Sequence, residues 1–212
     1  MEIIKGFIDF FLHLDNHIVE IINQYGQATY AILFAIIFAE TGLVIAPLLP
    51  GDSLLFVLGA LSAQGALNIY LLWILLFVAA VLGDAINYAI GSYFKNKILL
   101  GEKIPLIKQS YLNKTRAFYE KHGPKTIIIA RFVPIVRTFA PFLAGVGDMP
   151  YAKFALYNVV GAFLWVTAGL WAGYLFGNIP FISENFSLVV LGIVVLSLVP
   201  VVIEILKQRK SG

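Results

Sequence analysis

The chain has no cysteine among its 212 residues, and only 13% of its residues are charged. The absence of cysteine excludes a disulfide framework, thiolate metal sites and a cysteine nucleophile. The low charge is unusual, because about a quarter of the residues in an average soluble domain are charged. Apolar side chains, by contrast, make up 60% of the chain. A soluble fold cannot bury that much apolar surface, so the sequence predicts an all-α membrane protein that crosses the bilayer several times.

In the N-terminal segment, residues 1–26, apolar side chains recur at helical spacing, and polar side chains lie largely at the other positions. This pattern predicts an amphipathic helix at the membrane surface or against the rest of the protein. It is not typical of a cleaved signal peptide, since Asp9, His13 and Asp15 interrupt the apolar stretch. His13 and His17 stand four residues apart, as metal ligands on a helix do, but no further histidine or cysteine is near enough to complete a site. We therefore predict neither a metal nor a cofactor.

Two later segments, residues 28–63 and 126–147, are apolar but broken in the middle. Each arm is about a dozen residues or fewer, which is too short to cross a hydrocarbon core about 30 Å thick. Irregular backbone survives at membrane depth only where protein or water satisfies its polar groups. Both segments are therefore predicted to be re-entrant helical hairpins, with proline and glycine at or near their breaks: Pro47, Pro50, Gly51, Pro134, Pro141 and Gly145.

Three segments are long enough to cross the bilayer, residues 67–94, 151–176 and 186–206. The segment 95–125 is predicted to be a loop and is rich in lysine, and the tail 207–212 is also basic. Positive segments next to membrane spans stay on the cytoplasmic side, so both are predicted to be cytoplasmic. The basic segment either only sets this orientation or also binds anionic lipid headgroups. The side of the N-terminus stays open, because the first segment could itself cross.

The order of hairpin followed by span occurs twice, in one membrane domain that covers residues 1–212. An odd number of crossings between the two copies turns the second upside down relative to the first. The outer hairpin, 28–63, and the inner hairpin, 126–147, would then enter from opposite faces. This is the outline of an inverted-repeat transporter, in which the broken segments form the binding site near the middle of the bilayer.

The two hairpins carry charges of opposite sign, Glu40 and Asp52 on the first and Arg131 and Arg137 on the second. Four charges at the centre of the bilayer would cost on the order of 10 kcal/mol. Two arginines suit a phosphate group, because guanidinium stays charged when buried and offers a planar fork of donors. The two carboxylates are predicted to take up protons and so to couple transport to a proton gradient. The alternative is that the four residues are structural ion pairs that fasten the hairpins together.

Asp84 and Asn87 are two further polar residues within the first full span. They either belong to a polar pathway through the membrane or stabilise packing against a neighbouring helix, and the sequence does not distinguish these interpretations.

Three stretches resemble the DedA family of bacterial inner-membrane proteins, also described as proteins with a VTT or SNARE-associated domain. They are ETGLVIAPLLPGD at 40–52, GDAINY at 83–88 and ARFVPIVRTFAPFLAG at 130–145, and the R-x-x-P-x-x-R pattern in the last is the most specific. The resemblance covers nearly the whole chain. It implies a re-entrant, inverted-repeat fold and translocation of undecaprenyl phosphate dependent on membrane potential. The family's required charged positions match Glu40, Asp52, Arg131 and Arg137.

The function predicted from these features is a flippase for an anionic lipid phosphate in the bacterial inner membrane. Its predicted partners are the lipid substrate, the surrounding membrane lipids and a coupling ion, either protons or sodium, with no role for nucleic acid. A homo-oligomer is compatible with the sequence. Alternatives are a proton- or cation-coupled exchanger of small solutes and an intramembrane enzyme acting on lipid phosphates. The sequence does not supply the catalytic residues that such an enzyme needs, since no nucleophile stands beside a base in either hairpin.

Overall fold

A computed structural model describes residues 14–43, 51–99 and 109–177, together with residues 179 and 192. Short 3-10 turns, Gly26–Ala28 and Gly123–Lys125, precede two of the helices. All regular structure within the described residues is helical, which confirms the predicted all-α fold. The helices are α1 Leu14–Tyr25, α2 Thr29–Gly42, α3 Gly51–Ala63, α4 Ile69–Leu99, α5 Gln109–His122, α6 Thr126–Ala130, α7 Pro134–Val146 and α8 Tyr151–Phe176.

Three stretches are long and apolar enough to cross a membrane, His17–Gly42, Ile69–Asn96 and Tyr151–Phe176. The last two belong to α4 and α8 and overlap the predicted spans 67–94 and 151–176. Each of these helices exposes large apolar side chains every three or four residues, as a helix face in contact with lipid does. On α4 the exposed side chains are Leu71, Ile74, Val78, Leu82 and Ile86, and on α8 they are Leu156, Val159, Val160, Phe163 and Leu164. The chain is therefore a polytopic membrane protein.

The first stretch is interrupted at Gly26, whose φ is +52°. That left-handed conformation cannot continue a right-handed helix, so α1 and α2 are separate helices of 12 and 14 residues. The Thr29 hydroxyl donates a hydrogen bond to the Ile21 carbonyl across the break. At 1.5 Å per residue the two helices are about 18 and 21 Å long. Neither helix alone spans the bilayer core, and the amphipathic helix followed by the first arm of a hairpin stays a prediction.

The segments predicted as hairpins contain helix pairs. The outer segment holds α2 and α3, and the residues between them that include Pro47 and Pro50 lie outside the described residues. The inner segment holds α6 and α7, with a break at residues 131–133 and with Pro141 inside α7. The final predicted span, 186–206, and the basic tail also lie outside the described residues, apart from residue 192.

The basic segment 95–125 was predicted to be a loop, but part of it is helical. It contains the end of α4 and all of α5. Helix α5 has a buried side and an exposed side: Leu112 and Thr115 are buried, whereas Arg116 and Lys121 are exposed. The positive charge of this segment therefore lies partly on the outer face of a packed amphipathic helix.

The helices divide into two compact units. The first unit consists of residues up to Phe34, Pro50–Leu76 and the residues from Val166 onward, and the second consists of Ala35–Leu49 and Phe77–Trp165. In the first unit the core is formed by α3, whose residues from Ser53 to Ser62 are all buried. In the second unit buried side chains of α6, α7 and α8 form one cluster: Ile127, Ala130, Val136, Ala140, Ala144 and Phe154.

Within the first unit, α3 and α8 cross with their backbones in contact. A Cβ atom at Gly59 would overlap the Leu170 carbonyl oxygen, and one at Gly173 would overlap the Phe56 carbonyl oxygen. On each helix the contacted carbonyl lies three residues before the glycine: Phe56 before Gly59 on α3, and Leu170 before Gly173 on α8. Small residues at such crossings let membrane helices approach closely enough for extensive van der Waals contact.

Within the second unit, α7 and α4 cross in the same way. A Cβ atom at Gly145 would overlap the Tyr88 carbonyl oxygen, and one at Gly91 would overlap the Phe142 carbonyl oxygen. The spacing of three residues between carbonyl and glycine is again present on both helices. This unit therefore reproduces the crossing of the first.

The turns before α2 and α6 are also alike. Gly123, like Gly26, has a positive φ, +58°. The Thr126 hydroxyl donates to the Phe118 carbonyl, eight residues earlier, just as the hydroxyl of Thr29 reaches back eight residues to Ile21. The two units thus share two local features that an internal repeat would produce. Inversion of one copy relative to the other stays a prediction.

The glycine crossing yields a stability prediction. Gly145→Ala should lower the thermal unfolding midpoint of the protein in detergent, because the added Cβ atom meets backbone that cannot rotate away, and overpacking of this kind costs about 1–3 kcal/mol. Gly147→Ala is the matched control: it is exposed, and its Cβ atom would come no closer than 3.2 Å to the Leu143 carbonyl oxygen. Equal midpoints for the two variants would contradict the close crossing.

Candidate functional site

The second unit contains four charged side chains that are mostly shielded from solvent, Glu40, Asp84, Arg131 and Arg137, here called the charge cluster. Its two arginines lie on either side of the break in the inner segment. Val133 has the extended backbone, φ −123° and ψ 103°, that a residue before proline favours, and Pro134 then begins α7. Proline therefore ends one helix and starts the next. This puts Arg131 at a helix end and Arg137 in the first turn of α7.

Arg131 is held by side chains from two other helices. Its Nη2 atom donates to Asp84 Oδ2 on α4 and to Asn158 Oδ1 on α8, both at 2.6 Å. The Arg131 and Asp84 side chains are 2% and 6% exposed. Asn158 is itself fixed, because its Nδ2 atom donates to the Val81 carbonyl. A buried guanidinium is tolerated only when a counter-charge and hydrogen-bond acceptors compensate it, and here both are present.

Arg137 pairs with Glu40. Its Nη2 atom lies 2.7 Å from Glu40 Oε1, and the two side chains are 11% and 3% exposed. Glu40 lies in the last turn of α2, near the negative end of the helix dipole, which disfavours a carboxylate. The Arg137 guanidinium compensates for that unfavourable position. Arg137 is also the arginine of the cluster that keeps the larger access to solvent.

The charge cluster is electrically balanced, with two carboxylates and two guanidiniums. Its members also interact beyond the hydrogen-bonded pairs, since Arg131 is influenced electrostatically by Asp84, Arg137 and Glu40. Removing one member would leave a partner charged and buried, which costs about 3–5 kcal/mol in a buried ion pair. The four side chains therefore act as one unit, and a ligand that displaces one of them must carry a charge of the same sign.

Asn87 connects the segments that carry the Glu40–Arg137 pair. Its Nδ2 atom donates to the carbonyls of Thr41 and Thr138 at 3.1 and 2.9 Å, and these residues directly follow Glu40 and Arg137. The Thr41 carbonyl belongs to the last turn of α2, where carbonyls lack helical partners. Asn87 therefore caps α2 from α4. Asn87 Oδ1 is buried without a hydrogen-bond partner among the described residues.

An aromatic ring lies beside both arginines. The Cζ atoms of Arg131 and Arg137 are 5.9 and 5.6 Å from the centroid of the Trp165 ring. The Trp165 side chain is only 3% exposed, so these cation–π contacts form largely out of water.

Three of the four charged residues predicted from the sequence, the two arginines and Glu40, lie in one cluster in the structure. The fourth, Asp52, lies half-buried in the first turn of α3 in the first unit. The carboxylate that pairs with Arg131 is Asp84, for which the sequence analysis left open a role in packing or in a polar pathway. Gly51 begins α3, and Gly145 lies at the crossing of α7 with α4.

Two residues of the site, Asn158 and Trp165, were not selected as functional residues from the sequence, in which Asn158 was only one of several residues that could line a cavity. Asn158 carried the same signal as Asp84, a polar residue within an otherwise apolar span. Trp165 carried no signal of its own, because a tryptophan in a membrane span usually packs or anchors at the interface. Only the folded chain shows that its ring lies beside two guanidiniums.

Several known proteins are similar to this chain in sequence. The family model of the VTT domain matches residues 49–175. Protein DedA of Escherichia coli (strain K12) is 53% identical over 214 positions that cover 100% of this chain and 98% of that protein. An uncharacterized membrane protein of Mycobacterium tuberculosis (strain ATCC 25618 / H37Rv) is 42% identical over 84% of this chain and 79% of its own length.

A third relative, the inner membrane protein YghB of Escherichia coli (strain K12), is 32% identical over 84% of this chain and 78% of its own length. No solved structure matches the chain. The region matched by the VTT domain includes both arginines of the charge cluster, Asp84 and Trp165. The domain match and the full-length similarity agree with the resemblance seen in the motifs, and the chain belongs to the DedA family of membrane proteins.

Proposed function

We propose that this protein translocates an anionic lipid phosphate, undecaprenyl phosphate or a related phospholipid, across the bacterial inner membrane, coupled to protons or to the membrane potential. The observation that carries the proposal is the Arg137–Glu40 pair. The Arg137 guanidinium is already bound to an oxyanion, the Glu40 carboxylate, at 2.7 Å. It is the more accessible of the two guanidiniums in the charge cluster. A phosphate oxygen, like the carboxylate oxygen that it would replace, is anionic and accepts hydrogen bonds from a guanidinium.

The two arginines take different roles in this proposal. Arg131 is anchored by Asp84 and Asn158 and supplies fixed positive charge. Arg137 exchanges partners, between Glu40 and the phosphate. The lipid tail stays in the hydrocarbon throughout, so only the headgroup enters the charge cluster.

Exchange of partners at Arg137 gives a route to proton coupling. When the phosphate takes the guanidinium, Glu40 becomes a bare carboxylate at the negative end of α2, an arrangement that a proton on Glu40 relieves. Phosphate entry and proton uptake would then accompany each other, and departure of the phosphate would return Glu40 to Arg137. Asp52 is proposed as a second protonatable carboxylate, and sodium is the alternative coupling ion.

The proposed setting follows the sequence and the relatives. A relative described as an inner membrane protein supports placement in that membrane. In the proposed topology the segment 95–125 and the C-terminus face the cytoplasm, because they concentrate positive charge beside membrane spans. The same charge would hold anionic membrane lipids near the protein.

The first test separates a functional charge cluster from a structural one. The double variants Glu40→Gln/Arg137→Gln and Asp84→Asn/Arg131→Gln each replace an ion pair with neutral amides, so they should keep thermal midpoints near that of the wild type. Labelled undecaprenyl phosphate would be placed in one leaflet of liposomes and its transfer measured. Both variants should lose transfer by roughly 10- to 100-fold, since a hydrogen bond to a charged group contributes about 1.5–3 kcal/mol.

The matching single variant Arg131→Ala should behave differently, because it leaves Asp84 charged and buried. Its thermal midpoint should fall well below that of the neutral double variant, in line with a cost of about 3–5 kcal/mol. If both neutral double variants transferred lipid at the wild-type rate, the charge cluster would be structural. Intact label on the recovered headgroup would exclude hydrolysis.

The second test addresses coupling. An imposed pH gradient should change the rate of lipid transfer by the wild type, whereas Glu40→Gln should transfer lipid down its own gradient at a rate that ignores the pH gradient. Asp148→Asn is the control, since this exposed carboxylate pairs with Lys95 and lies outside the charge cluster. A wild-type protein that moved protons or sodium against a small solute and left the lipid in place would favour the exchanger instead.

A further inference from the structure

One face of α8 contacts the Arg131 side chain. Asn158, Gly161 and Trp165 are spaced three and four residues apart, so they lie on the same side of the helix. Asn158 accepts the guanidinium hydrogen bond at 2.6 Å. Gly161 leaves room beside it, because an added Cβ atom would come within 3.1 Å of Arg131 Cδ and Nε. Trp165 places its ring 5.9 Å from Cζ of the same arginine.

Trp165 also reaches the second arginine, whose Cζ atom is 5.6 Å from the ring centroid. The two arginines come from different segments, one in the break after α6 and one in α7. Their carboxylate partners come from different helices as well, Asp84 on α4 and Glu40 on α2. The ion pairs therefore fix each guanidinium separately. The Trp165 ring is a contact that the two guanidiniums share.

Placing two guanidiniums on one ring opposes their mutual repulsion. Arg131 and Arg137 are close enough to act on each other electrostatically. The negative face of an indole attracts cations, and the attraction is stronger where water is excluded, as it is around a side chain that is 3% exposed. A packing residue such as leucine would fill the space without this attraction.

We infer that Trp165 is a positioning residue that holds the guanidiniums of Arg131 and Arg137 side by side as one binding fork for a phosphate group. The inference rests on the proposed function and specifies its recognition step. A fork of two planar cations fits a group with several oxygens arranged around one atom, which a phosphomonoester headgroup and free phosphate share. When the phosphate binds, Arg137 moves from Glu40 toward it, and the surroundings of the Trp165 ring change.

This change can be observed by fluorescence. The chain has three tryptophans, so the variant Trp73→Phe/Trp171→Phe retains Trp165 as its sole tryptophan. Trp73 and Trp171 lie outside the charge cluster, in contact with Thr167 and with Tyr70, respectively. In lipid nanodiscs, undecaprenyl phosphate should change the emission of this variant with saturation, and undecaprenol, which lacks the phosphate, should not. Emission that stayed constant while the same variant still transferred lipid in liposomes would overturn the inference.

Inorganic phosphate provides the second arm of the titration. If the fork recognises the phosphate group itself, inorganic phosphate should produce the same change in emission at higher concentration. If only the lipid produces it, the fork is specific for the lipid headgroup. Equal responses to the lipid phosphate and to undecaprenol would show that the ring senses the tail, which would contradict the inference.

Substitution of Trp165 tests positioning against mere packing. Trp165→Leu should raise the KM for lipid phosphate by about tenfold, the effect of losing a desolvated cation–π contact. Trp165→Phe keeps an aromatic face and should recover most of the affinity. Trp171→Leu, on the same helix, is the control and should leave KM unchanged.

Two results would count against a positioning role. One is a Trp165→Leu variant with wild-type KM, which would refute the inference while leaving the proposed function intact. The other is equal KM and equal loss of thermal midpoint in Trp165→Leu and Trp165→Phe, which would show that the residue acts only by filling space. Failure of the wild type itself to transfer lipid would instead count against the proposed function.

Discussion

The buried positive charge of Arg131 is the constraint on which the second unit depends. A guanidinium that is 2% exposed needs a counter-charge and acceptors, and no single helix supplies them all. The carboxylate comes from α4 and the amide oxygen from α8, so the break in the inner segment must lie against both helices. Asn158 links those helices directly by donating to the Val81 carbonyl. Compensation of one charge thus determines where three segments of the chain meet.

Close helix crossings make that arrangement possible. At Gly145 and Gly91 the backbones of α7 and α4 touch, so the C-terminal end of α7 lies directly against the second half of α4. Asn87 then joins α2 and α7 through its two carbonyl contacts, at the residues that follow Glu40 and Arg137. Asn87 therefore holds together the two backbone segments that carry the Glu40–Arg137 pair.

The paired arginines illustrate how burial and function are reconciled. Both are neutralised by carboxylates, so the charge cluster is tolerated in an apolar protein, yet the two pairs differ in accessibility. Arg131 has several partners and almost no exposure, whereas Arg137 retains an 11% exposed side chain. Trp165 touches both and compensates part of their repulsion. Under the proposed function, such a site admits an anion at Arg137 while Arg131 keeps its partners.

The sequence alone determined the fold class, the two long spans and the broken segments, because these follow from apolar length and from the conformations that proline and glycine impose. It also identified Arg131, Arg137 and Glu40, since a charge in an apolar stretch is conspicuous in one dimension. It did not determine which charge meets which. Asp84 and Asn158 lie 47 and 27 residues from Arg131, so only the folded chain shows that all three side chains meet. The contacts of Trp165 were decided by tertiary structure for the same reason: a tryptophan has no formal charge to mark it, and its proposed role depends on the two guanidiniums that folding brings near its ring.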